Sequence, residues 1–312
     1  MYDVTSIGII VSDIIIKPAT RFPKPGELIP IDSLELYSGG NAMTAALNLK
    51  KAGLSPGLIG KIGNDFFGNF LLECLENNNI STKGIKISEN AQTSASAAFV
   101  YDDGERSFMH CKGANADLNL EDIDFDVIKN SNIIFITGSF VLDSLDGDQT
   151  VELLKECKRM GKTTALDVCW NKGADFRWLV NDAMKYIDLF MPSIDEAKMI
   201  SEKTNIQKAA EIFLKNGVGS VIIKCGSEGC YISDGKSGGM KIPALKVNAV
   251  DTTGAGDSFC SGFLAGYSKG FDIIKSAVIG NAAGACCVAK KGATTGMPGF
   301  EELLKISEEI QL

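Results

Sequence analysis

Four short apolar runs, at residues 133–137, 163–167, 186–191 and 220–225, are separated by stretches of helical spacing at 145–160 and from 194 to 201. Runs apolar throughout, rather than alternating, belong to strands buried on both faces. Strand–helix alternation of this kind demands crossover connections, hence a mostly parallel, doubly wound α/β sheet with helices on both sides. Ligands of such sheets gather at the carboxyl ends of the strands. Asp13, Asp167, Glu196 and Gly226 all follow apolar runs there.

The rest of the chain is consistent with one such unit over residues 1–312. Its 45% hydrophobic and 22% charged residues are those of a globular protein with ample core. The net charge of −8 offers no basic face for nucleic acid or an anionic membrane. The opening MYDVTSIGIIVSD has no basic n-region and reads as a first strand over 4–11, not a signal peptide. No apolar run reaches the ~20 residues of a membrane helix. Nine cysteines without a C-x-x-C pair suggest reduced thiols and a cytoplasmic location. The lone histidine, His110, argues against His-rich metal sites and a Ser-His-Asp triad.

Two stretches break the α/β rhythm. Residues 14–37 mix Pro18, Pro23, Pro25 and Pro30 with β-branched residues, as edge strands and turns do. Within 81–112, SASAAFVYDDGERSF alternates about Asp103-Gly104, a hairpin signal. Together they predict a small β-sheet lid made of two insertions. Between them, SGGNAMTAALNLKKAG places Gly39 and Gly40 in a turn before a helix that Gly53 ends. Asn41 there is either the helix N-cap or a partner for ligand hydroxyls.

Residues 251–270, DTTGAGDSFCSGFLAGYSKG, run from a glycine turn into a helix with one apolar stripe. Gly262 and Gly266, four apart, allow a close helix neighbour. A glycine turn at a helix start leaves amides facing outward at the positive end of the dipole, a cradle for an anion. Asp257 beside it is either a cap or a base that takes the proton of an attacking hydroxyl. No Walker P-loop, no clean G-x-G-x-x-G after the first strand and no H-R-D or D-F-G set is present.

The pair SGGNAMTAALNLKKAGLSPGLIGKIGNDFFG and DTTGAGDSF, about 200 residues apart, resembles the two signatures of the ribokinase-like (pfkB) carbohydrate kinases. That resemblance implies ATP-dependent transfer of a γ-phosphoryl group to a hydroxymethyl oxygen of a sugar, with Asp257 as base. The amides of Gly254, Ala255 and Gly256 would hold the developing charge, and Asp13, Gly39, Gly40 and Asn41 the acceptor hydroxyls. Glu196 would hold Mg2+ through water; Ser193 replaces the family's asparagine three residues before it. Lys224, Gly226 and Gly229 would lie along the nucleotide, Lys224 in place of a more usual threonine, and Asn281 near the adenine. Asp251, Thr253 and the carbonyl of Gly292 resemble a K+ loop, with Gly296 where a serine often stands. Phe99, Tyr101, Met109 and Asn115 are candidates for acceptor specificity, and a homodimer through the lid is expected. The alternatives are a nucleoside kinase of the same family and a non-catalytic sugar sensor.

Overall fold

The computed structural model describes residues 1–101, 106–171, 173–236 and 238–312, so the Asp103-Gly104 turn lies outside the described residues. The chain enters through β1 (Tyr2–Gly8), leaves the body in β2 (Val11–Lys17) and β3 (Ser33–Gly39), and returns as α1 (Asn41–Lys51) and β4 (Pro56–Gly63). After α2 (Phe66–Asn77) and β5 (Gly84–Ser88), β6 (Ala95–Val100) and β7 (Arg106–Cys111) leave it again. There follow α3 (Phe125–Lys129), β8 (Ser131–Ser139), α4 (Asp148–Arg159), β9 (Thr163–Val168) and β10 (Leu189–Phe190). Next come α5 (Ile194–Ser201), α6 (Ile206–Lys215), β11 (Ser220–Lys224), β12 (Cys230–Ser233) and β13 (Met240–Ile242). Three helices close the chain: α7 (Ala255–Ser268), α8 (Ile273–Val288) and α9 (Phe300–Ser307).

Among the described residues the main sheet has nine strands, ordered β13-β12-β11-β10-β9-β8-β1-β4-β5. It is parallel from β11 to β5, and β12 and β13 add an antiparallel edge. The apolar runs are explained by burial on two faces. Ile134, Ile136, Leu166, Phe190, Val221 and Ile223 pack with α4 and α6. Their neighbours Ile133, Phe135, Ala165, Leu189 and Ile222 pack with α1, α7 and α8. The closest helix pair is α7 on α8. A Cβ at Gly262 would come 2.5 Å from that of Ala283, and one at Gly266 2.9 Å from Ile279. The glycines therefore serve the close contact their spacing suggested.

A second sheet of four strands, ordered β3-β2-β6-β7, stands off the body. Two boundaries differ from expectation. The first strand ends at Gly8, and Asp13 belongs to β2 of the small sheet instead of closing a core strand. Residues 84–88, expected in the small sheet, pair with β4 in the large one, so only the later part of 81–112 leaves the body. The small sheet has a clear register: Tyr37, Asp13, Ser96 and His110 stand in one row across its strands. Directly opposed residues share a face, and alternation sends Met109 to the other side.

Candidate active site

The site forms where the first turn of α7 meets the ends of β9 and β11. Gly254 precedes α7 in a left-handed conformation (φ 74°), and a Cβ there would strike Ala293 at 2.3 Å; only glycine suits this turn. The N–H of Ala255 turns back to the carbonyl of Thr252 at 3.3 Å, and that of Ser258 donates to Gly254 at 2.8 Å. The amides of Gly256 and Asp257 are thus the first-turn donors without an intrahelical acceptor. Ala255 contributes to the shape of the turn more than to the donor set.

Asp257 is not a cap. Gly254 occupies the N-cap without any side-chain bond, and Asp257 Oδ1 accepts instead from Asn41 Nδ2 at 2.7 Å. Asn41 is not a cap either, since Gly40 holds that position in α1. Its Oδ1 accepts from the thiol of Cys169 at 3.5 Å, which fixes the amide's orientation. Burial pushes the Asp257 carboxyl above its ordinary value, opposed by the Asn41 bond and by Lys224. At the helix start the desolvation of the carboxylate outweighs these stabilising partners.

Lys224 closes the other side. Its ammonium donates to Asp167 Oδ1 at 2.5 Å and lies 3.7 Å from Cys260 Sγ. The pair is buried, with the Lys224 side chain 13% exposed and that of Asp167 3%. Burial works against the ammonium, but Asp167, Cys260 and Glu196 raise it well above an ordinary lysine. Burial also pushes Asp167 up, against the pull of Lys224. Glu196 is buried, not solvated. It forms a capping box with Ser193, accepting at Oε2 from the Ser193 N–H at 2.7 Å, and Ser193 bridges Lys224 in parallel register.

A cavity of about 720 Å3 separates the small sheet from the body, with Phe108, His110 and Lys112 on one side and Ile9, Cys169 and Trp170 on the other. Cys169 joins it to Asn41 and so to Asp257. Asp13 lies in the row that includes His110; a Cβ at Gly39 would sit 1.9 Å from its Oδ2, so Gly39 admits the carboxylate over its Cα. Burial raises Asp13, while the Ser96 hydroxyl bonded to it and His110 draw it back.

The specificity candidates require correction. Phe99 packs on Phe22, Tyr101 donates to Ser107, and Met109 faces away at 62% exposure. Asn115 does line the cavity, but its amide is committed to both backbone groups of Ile10. Phe108, His110 and Trp170 take the places expected of the others. Alternation in phase with Asp13 was the signal for the two on β7.

The remaining candidates lie further out. Gly226 and Gly229 form the tight turn joining β11 to β12, closed by Cys225 N–H on the Gly229 carbonyl at 2.7 Å. Asn281 spends its Nδ2 on the carbonyls of Ile242 and Pro243, at 3.2 and 3.0 Å, and clamps that wall. Asp251 accepts from the N–H groups of Thr253 and Gly292, at 2.8 and 2.9 Å, tying two loops together. A serine at Gly296 would not fit unaided, since a Cβ there meets the Cys286 carbonyl at 2.2 Å.

An α/β body with a separate small sheet, a glycine turn into a helix and a buried carboxylate linked through Asn41 and Cys169 to the cavity make the layout of a kinase acting on small alcohols. The pfkB family carbohydrate kinase model matches residues 1–299, and the chain belongs to that family of carbohydrate kinases. It is 31% identical over 288 residues, 88% of this chain and 84% of the relative, to a 5-dehydro-2-deoxygluconokinase of Clostridium beijerinckii. A ribokinase of Thermotoga maritima superimposes with a TM-score of 0.85 at 27% identity, over 99% of this chain and 100% of that one. The fold is also shared with an Arabidopsis thaliana ribokinase solved with ribose and ATP, at a TM-score of 0.83 and 24% identity over 98% and 99% of the two chains. Among the described residues no helix is long and apolar enough to cross a membrane.

Proposed function

We propose that the chain moves the γ-phosphoryl group of ATP to a hydroxymethyl oxygen of a sugar or related polyol, with Asp257 as the base. The observation that carries this is the Asp257 carboxylate, set in the first turn of α7 and joined through Asn41 and Cys169 to the cavity. The donor set suits the nucleotide. The Lys224 side chain ends beside the first turn of α7, where a Cβ at Gly256 would meet only its last atoms, at 3.7–4.0 Å. When bound, ATP supplies the phosphoryl group and Mg2+ the charge that offsets its oxygens.

The residues of the chain do the rest. Asp13 and Asn41 orient the acceptor, and Asp257 takes its hydroxyl proton; a carboxyl raised by burial is a stronger base than an exposed one. The amides of Gly256 and Asp257, with Gly254 and Ala255 shaping the turn, hold charge that grows on the phosphoryl oxygens. Glu196 and Ser193 would hold the metal's water shell, and Gly226, Gly229 and Asn281 would shape the nucleotide wall. The small sheet acts as a lid that excludes water. Nine free thiols accord with a cytoplasmic setting.

The Asp257→Asn variant tests the assignment. Phosphoryl transfer is expected to fall at least ~10²-fold while acceptor binding survives; equal rates in variant and parent would remove the base. A panel of ribose, fructose, inositol, 5-dehydro-2-deoxygluconate, adenosine and cytidine, read by ADP release, separates sugar from nucleoside acceptors. The Asp251–Gly292 tie supports a K+ effect on the α7 turn. Exchange of Na+ for K+ should raise kcat, and identical rates would discard the cation.

A further inference from the structure

Two of the positions at which the chain departs from its family's signature, Ser193 and Lys224, face each other across one β-bridge. Lys224 leaves the end of β11 and crosses beneath α7, with the last three atoms of its side chain running past the open face of Gly256. That residue immediately precedes the base. On the far side the ammonium is held by Asp167, which is 2% exposed and lies on β9, 57 residues away in sequence. A buried ion pair is poor evidence for stability, because taking both charges out of water offsets most of their attraction. An ammonium bears three protons, and here Asp167 and Cys260 are the partners it meets. The same end lies against the first turn of α7, where backbone donors collect.

We propose that Lys224 contacts the phosphoryl group during its transfer and that Asp167 is the positioning residue that aims the ammonium. This rests on Asp257 being the base. No bond to lysine forms. The acceptor oxygen bonds to phosphorus, the bridging oxygen departs with ADP, Asp257 receives the acceptor's proton, and Lys224 keeps its three protons while its charge meets the oxygens between the two. The lysine has a second effect, on the base itself. The charged and titratable groups facing Asp257 are Lys224 from β11, Asp167 from β9 and Glu196 from α5, with the thiols of Cys169, of Cys260 on α7 and of Cys287 on α8 and the neutral amide of Asn41. Removal of the cation therefore makes Asp257 easier to protonate, and removal of the Asp167 charge makes it harder.

Calorimetry of ADP with Mg2+, with and without aluminium fluoride as the phosphoryl mimic, gives a readout independent of turnover. The parent should bind the mimic complex more tightly than ADP alone. Lys224→Met should cut that preference at least about ten-fold, leave ADP affinity within about two-fold and lower kcat about 10²-fold. Lys224→Arg should recover part of both losses. In pH–rate profiles the acid limb should move to higher pH in Lys224→Met and to lower pH in Asp167→Asn; the mimic preference, which a pair acting only on Asp257 would leave at the parental value, separates the phosphoryl contact from this second effect. An unchanged mimic preference, or limbs moving together, overturns the proposal. Should Lys224→Met fail to fold, the Asp167→Asn/Lys224→Met double variant buries neither charge, and a parental mimic preference there overturns it equally. Full activity in Asp257→Asn would sink both readings, whereas an inactive Asp257→Asn beside a parental Lys224→Met would sink this one alone.

Discussion

At Asp146 a carboxyl is held beside the end of β8, its Oδ2 accepting from the Leu142 N–H at 3.0 Å. Burial pushes it up from 3.8 to about 6, against the backbone bonds of Phe140 and Leu142 and with help from Asp143. Its folded pKa lies above its unfolded one, so its contribution to stability is present in full below about pH 4 and is lost as pH rises through about 6. Asp146→Asn keeps an acceptor for Leu142 without the buried charge. The variant should be more stable than the parent by about 1–2 kcal/mol at pH 7, and no more stable near pH 4. Urea melts at the two pH values test this. Individual residues were legible where a local pattern marked them, as with Asp257 after its glycine turn. Asp167 and Lys224 were each marked by a strand end, but their pairing was not, since the contact spans 57 positions and depends on two strand ends meeting.

Elements were easier to read than contacts. The alternation of apolar runs named the strands because both faces of the sheet are covered, and helix-stop glycines placed the helix ends closely. The small sheet was harder. One of its faces is partly open, and only the phase of a period-two pattern says which residues look inward. Hence Phe99 and Met109 were chosen over Phe108 and His110, whose inward phase is set by pairing with β6. Among the helices, α7 holds Asp257, the proposed base, by lying flush on α8. At Gly262 an added side chain meets Ala283 at 2.5 Å and the carbonyl oxygen of Ile279 at 3.0 Å. Gly262→Val should therefore destabilise the fold by about 1–3 kcal/mol and lower kcat by tilting the first turn. Thermal melts beside steady-state rates would show both effects, and a variant with parental values would disprove the dependence.

For the whole molecule, the outer face of the small sheet carries Ile14, Leu36, Ala97 and Met109 in one row and Ile16, Leu34 and Phe99 in the next. Leu34 is 65% exposed and Met109 62%. An apolar face of this kind supports the proposed pairing of two copies through their lids. Light scattering should give twice the chain mass at micromolar concentration for the parent and the single mass for Leu34→Asp/Met109→Glu. A monomeric parent removes the dimer.

The way the small sheet is fastened has a mechanical result. Asn115 grips Ile10 by both its N–H and its carbonyl, beside the Gly39-Gly40 crossing, so any swing of the sheet has its fulcrum there. Asp13 and its row, three residues beyond Ile10, stand about 10 Å from that fulcrum, whereas Ile16 and Phe99 lie about 20 Å out. The lever is therefore unequal. In the proposed opening of the lid, the groups expected to hold the acceptor hydroxyls would travel about half as far as the tip, so they would stay nearer to Asp257 than the mouth does.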